Sequence, residues 1–149
     1  MAVMPIEWGK VREFAIATGN DRHEYLHAGA TIPPTFLATV ILWDEIGVSG
    51  DDEVLAACRS IGVEPDWAGL LSLEQEYRFH GPPPRVGDRL VTSQRFGGVE
   101  VKQGRRGPMV FVRFTVLFHE HDGEQIGALR AECAYTSAFL PDGARPGAA

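Results

Sequence analysis

A chain of 149 residues, 44% hydrophobic and 23% charged, is sized and composed for one globular domain. A formal charge of −6 and an isoelectric point near 5.3 exclude a dedicated nucleic-acid binder, because phosphate contacts need a surplus of Lys and Arg on some face. The longest uncharged apolar run, Ile32 to Trp43, is about a dozen residues and contains two prolines, short of the roughly 20 that span a bilayer.

The N-terminal residues Met1 to Trp8 lack the basic flank and apolar segment of a secretory leader, so the expected address is cytoplasmic. Cys58 and Cys133 belong to no CxxC pair and have no His at metal-ligand spacing; reduced structural thiols are expected. In chain order, Trp8, Val11, Phe14, Ala15 and Thr18 fall at helical spacing, and Gly19-Asn20 supplies a C-terminal stop. Pro33-Pro34-Thr35 opens a second segment, in which Phe36, Leu37, Val40, Ile41 and Trp43 predict a helix buried on most of its surface and ended by Gly47. A short helix fits Asp52 to Ser60, and a loop fits Gly62 to Gly69.

From Leu73 the period changes to two: Leu73, Gln75, Tyr77 and Phe79 alternate with Glu74, Glu76, Arg78 and His80. Gly81-Pro82-Pro83-Pro84 ends that strand, and Arg89 to Phe96 begins the next. Gly97-Gly98 predicts a bulge or bend before Val99 to Lys102. Met109 to Phe118, dense in β-branched and aromatic residues, is the clearest strand, and a turn at His121 to Glu124 joins it to Gln125 through Phe139 as an antiparallel hairpin. Residues 141–149 read as a disordered tail, which leaves residues 1–140 as the folded domain. Helices followed by at least four antiparallel strands define an α+β plan, best met by a curved antiparallel sheet wrapped around a central helix.

Three segments, Val11 to Asp21, Ile32-Pro33-Pro34-Thr35-Phe36 and Pro84-Arg85-Val86-Gly87-Asp88-Arg89-Leu90, resemble in order and spacing the MaoC-like hydratases and dehydratases of the hot-dog fold. Gly107-Pro108-Met109-Val110-Phe111-Val112 is similar to a strand of their N-terminal dehydratase domains. Catalytic members carry Gly-Asp-x-Asn-Pro-x-His, whose Asp and His activate water for addition to an enoyl thioester. Aligned on Gly19, the Asp position holds Asn20 and the His position holds Tyr25. Asn does not titrate and Tyr titrates near 10, so neither can do acid/base work at neutral pH. Asn20 to Tyr25 is similar instead to the matching stretch of the non-catalytic A subunit of a mycobacterial fatty-acid dehydratase, which pairs with a catalytic hot-dog chain. Only seven residues separate Tyr25 from Pro33, a shortened loop by the family's standard.

The fallback acid/base pair is Asp21 with His27. By the resemblance, Pro34, Thr35 and Phe36 open the helix whose first amides hold a thioester carbonyl as it acquires enolate character. Lys102, Arg105 and Arg106 stand against the acidic balance and suit the phosphates of coenzyme A or phosphopantetheine, which would come with the substrate; no separate cofactor is expected. His119 and His121 form an HxH pair without a third ligand nearby, so no metal is expected.

The leading reading is a non-catalytic, acyl-binding subunit of an enoyl-thioester hydratase or (3R)-hydroxyacyl-thioester dehydratase, partnered by a catalytic hot-dog chain. Alternatives are a stand-alone homodimeric enzyme of the same reaction, a non-enzymatic acyl-thioester binding protein, and a thioesterase using Asp44 or Glu45. Strand Met109 to Phe118 carries only Arg113 against edge pairing, and on that ground an obligate dimer is expected.

Overall fold

The computed structural model describes residues 3–44, 46–47, 51–105 and 107–140. Five strands form one antiparallel sheet: β1 (Val3–Pro5), β2 (Leu71–Phe79), β3 (Arg89–Gly104), β4 (Gly107–His121) and β5 (Ile126–Phe139), in the order β1-β3-β4-β5-β2. The chain divides into two compact units, one of Met1–Ile46, Tyr77–Ser93 and Val116–Glu132, the other of Gly47–Glu76, Gln94–Thr115 and Cys133–Ala149. Among the described residues no helix is long and apolar enough to cross a membrane.

In the first unit β1 pairs with the start of β3 through Val3↔Val91, Met4↔Leu90 and Pro5↔Arg89. Helix α1 (Trp8–Ala17) buries Val11 and Ala15, one turn apart on one face. Phe14 meets Phe36 edge-on, with ring centroids 5.5 Å apart. Met4, Ile6, Leu37, Val40, Leu90, Val116 and Phe118 complete the apolar interior.

In the second unit helix α2 (Asp52–Ser60) starts where the Asp51 carboxylate accepts from the amides of Glu53 at 2.9 Å and Val54 at 3.1 Å. Those amides have no partner within the helix, which is why a short side-chain acceptor belongs there. Phe114 stacks on Tyr135 at 4.7 Å and Trp67 meets Phe139 at 6.3 Å. Cys58 and Cys133 are both free and buried, and burial, with the Glu64 charge second, pushes the Cys58 thiol up.

Two expectations need correction and one is refined. The segment after Pro34 forms a 3₁₀-helix, Phe36–Leu42, instead of an α-helix reaching Gly47. It buries Phe36, Leu37 and Val40, while Ile41 is 65% and Leu42 71% exposed, so only one face is covered. The sequence gives a reason: Thr39, Val40 and Ile41 are β-branched, and the Thr39 hydroxyl donates to the Phe36 carbonyl at 2.8 Å, competing for the acceptor. The bulge or bend expected at Gly97-Gly98 falls within β3, which runs on to Gly104. Gly98 has φ +109°, and a Cβ on Gly97 would lie 3.1 Å from the Arg113 carbonyl oxygen, so the two glycines let the strand bend and pass close to its neighbour without ending.

Second, β4 is no edge. It lies between β3 and β5, with Val110, Val112, Phe114, Val116 and Phe118 buried in strict alternation. The predicted tail at 141–149 lies outside the described residues.

Candidate functional site

The turn after α1 is set by backbone hydrogen bonds. Gly19, at φ +69°, donates to the Ile16 carbonyl at 3.0 Å, and Asn20 donates to the Ala15 carbonyl at 2.8 Å. This crossed pair is the Schellman arrangement, which needs a left-handed residue that glycine adopts without strain. It fixes where Asn20 leaves the helix. A 3₁₀ turn, His23–Tyr25, follows, closed by the Tyr25 amide on the Arg22 carbonyl at 2.9 Å.

The two turns bring Asn20 and Tyr25 together. Tyr25 is buried, and burial pushes its phenol above the ordinary range; its hydroxyl donates to Glu24, whose carboxylate raises it further, while Arg22 and a hydrogen bond from Asn20 act the other way. Arg22 in turn holds Glu24 at 3.2 Å. At neutral pH this is a neutral amide–phenol pair. It can donate and accept hydrogen bonds but has no group that takes a proton from water.

The fallback residues lie alongside without forming a pair. The His27 Nδ1 accepts the Gly29 amide at 3.2 Å, which leaves its proton on Nε2, and the His27 ring lies 5.8 Å from that of His23. Among the described residues no hydrogen bond or ion pair joins Asp21 to His27 or His23.

At Pro34-Thr35-Phe36 the Phe36 amide donates to the Pro33 carbonyl at 2.9 Å, and the Phe36 side chain is buried. That amide is therefore taken by the turn. A cavity of 240 Å³ lies beside it in the first unit, walled by Phe14, Ala17, Phe36, Thr39, Leu42 and Trp43 and rimmed by Lys10 and Glu13. Asp44 accepts from the Thr92 hydroxyl at 2.6 Å, a structural tie that engages the candidate nucleophile; Glu45 lies outside the described residues.

The described members of the basic cluster have different surroundings. Lys102 sits 3.6 Å from Glu100 and 5.1 Å over the Phe111 ring. Glu100 also holds Arg113 at 3.0 Å, and these cations, Arg113 first, keep its carboxyl below the usual range. Arg105 instead lines a cavity of 570 Å³ with Leu71, Gly104, Gly107, Met109 and Leu140. Arg106 lies outside the described residues.

His119 Nδ1 lies 3.4 Å from the Gly127 carbonyl, and among the described residues no group of three His, Cys, Asp or Glu is placed to hold a metal ion. Sequence reasoning missed Glu24 as the acceptor for Tyr25, although it is adjacent. It also missed the apolar walls around Arg105, which come from strand ends far apart in the chain.

A family model described as FAS1-like, dehydratase domain region, matches residues 2–128. No curated protein matches the chain. Among solved structures, the C-terminally truncated HadBC (3R-hydroxyacyl-ACP dehydratase) complex of Mycobacterium tuberculosis superposes with a TM-score of 0.63 at 20% identity, over 91% of this chain and 89% of that one. The ChsH1-ChsH2 complex of the same organism gives 0.61 at 19%, over 94% and 86%. A monoamine oxidase regulatory protein of an Archaeoglobus gives 0.55 at 11%, over 92% and 84%. At such identities the likeness is one of fold, and that fold is the hot-dog of the resemblance drawn from the sequence.

Proposed function

The chain belongs to the FAS1-like dehydratase-region family, and from that premise we propose that it is the non-catalytic, acyl-binding subunit of an enoyl-thioester hydratase or (3R)-hydroxyacyl-thioester dehydratase. The observation that carries the reading is the Asn20–Tyr25 pair beside the Gly19 turn, which the resemblance aligns with the Asp and His of catalytic members and which is neutral at physiological pH. Hydration puts the water oxygen on the β-carbon and a proton on the α-carbon of the thioester, so one group must take a proton as another gives one. Neither an amide nor a phenol with a raised pKa meets that need near pH 7.

A partner hot-dog chain supplies the Asp and His, and this chain contributes binding surface. The first two solved neighbours are themselves complexes of two named subunits, which supports the partnership. Coenzyme A or phosphopantetheine enters as part of the substrate, and no further cofactor takes part.

The test is turnover of a short enoyl-CoA by the purified chain, alone and after co-expression with a hot-dog protein carrying an intact Gly-Asp-x-Asn-Pro-x-His. Activity is expected only with the partner. Robust turnover by the isolated chain that disappears on Asp21→Asn or His27→Ala would place the acid/base pair in this chain and overturn the reading.

A further inference from the structure

The 570 Å³ cavity at the β3–β4 turn lies within the volume range of small-ligand sites. Its walls are Leu71, Met109 and Leu140, and Leu71 is 60% exposed, an apolar side chain left open to water at the cavity. Glycines let the β3–β4 turn close tightly beside the cavity. A Cβ on Gly104 would lie 3.3 Å from the Gly107 carbonyl oxygen and 3.7 Å from the Met109 sulfur, and Gly107 itself has φ +112°.

One charged side chain, Arg105, joins these walls. Of the nearby cations, Lys102 and Arg113 are held by Glu100, whereas Arg105 makes no ion pair among the described residues. A guanidinium beside apolar walls is complementary to one anionic head on an apolar chain. Its fork matches a carboxylate with two parallel hydrogen bonds.

We propose that this cavity is a binding site for a carboxylate-headed alkyl chain, with Arg105 on the carboxylate and Leu71, Met109 and Leu140 around the chain. The cavity lies in the second unit, and none of its lining residues belongs to the Asn20–Tyr25 pair on which the proposed function rests.

Titration calorimetry of the purified full chain with decanoate tests it, with decanol, acetate and 4′-phosphopantetheine as comparisons. Decanoate is expected to bind at one site, at least tenfold more tightly than decanol or acetate. Arg105→Gln should weaken it about tenfold or more, and Arg105→Lys should recover part of the loss. Equal binding of decanol, or no effect of Arg105→Gln, would show that no head-group site exists. Tighter, Arg105-dependent binding of phosphopantetheine would overturn the carboxylate assignment in favour of a thioester-carrier site. The enoyl-CoA assay with and without partner is unmoved by any of these results, so the two readings fail separately.

Discussion

Tyr25 is a titratable residue held in its neutral form by its surroundings, and this has a consequence for stability. Burial first, and the Glu24 carboxylate second, raise its folded pKa above the ordinary value near 10. The stabilisation is therefore complete below about pH 10 and is lost as pH rises through the folded value, because the unfolded chain ionises first. Urea midpoints between pH 8 and 11 should fall more steeply for the wild-type chain than for Tyr25→Phe; identical slopes would mean that the phenol is not held neutral by the fold.

A second expectation concerns the pair as a chemical device. Asn20→Asp with Tyr25→His restores an acid/base pair on the same two turns, and in the chain purified without its catalytic partner it should raise enoyl-CoA hydration by roughly 10² or more over the wild-type chain, the low end of what general acid–base catalysis supplies. Asn20→Asp alone should give no such gain, since Tyr25 still cannot take a proton. A double variant no better than wild type would show that this turn does not face the acyl-thioester. The pairing was legible because Gly19 fixes the register in sequence. The role of Asp44 was not, since its partner Thr92 is far along the chain and only the fold brings the two together.

Among the elements, those with local signals were the easiest to read. Helix α1 ends at the turn its Gly19-Asn20 stop indicated, and α2 spans Asp52–Ser60 as its pattern indicated. The segment Phe36–Leu42 was misread because apolar residues on all sides suggest burial on all sides, whereas β-branching and the Thr39 hydroxyl tighten it into a 3₁₀ form with one buried face. The bulge or bend expected at Gly97-Gly98 falls inside a continuous β3, where the fold uses the glycines to pass close to Arg113. That use is testable. Gly98 holds φ +109°, so Gly98→Ala should cost about 1–3 kcal/mol in chemical denaturation, the usual penalty for a side chain in such backbone. Ala at the exposed, helical Gly9, where a new Cβ meets nothing within 4 Å, should instead be neutral or slightly stabilising. Equal effects at the two sites would show that Gly98 is not needed for the bend.

At the scale of the whole molecule, the sheet order moves the case for assembly from one strand to another. The expectation of a dimer began from β4 as an unprotected edge, and β4 is central. The edges are β1 and β2. Three-residue β1 ends in Pro5, which has no amide to offer another strand, and so is poorly suited to pairing. Strand β2 is nine residues long, its first six residues are exposed, and Leu71 and Leu73 are 60% and 46% exposed. A long edge with exposed leucines is a template for another chain unless it is covered. We therefore expect β2 to carry the association with a second hot-dog chain, burying an area of the obligate class, above roughly 2,000 Å² in total. Leu73→Lys places a charge on that edge and should convert the assembly to monomer, or abolish co-purification with the catalytic partner, while circular dichroism stays unchanged. Light scattering on the wild-type chain, alone and co-expressed, gives the reference. A wild-type chain that is monomeric in both preparations would remove the assembly, and an assembly insensitive to Leu73→Lys would move it off β2 to another surface.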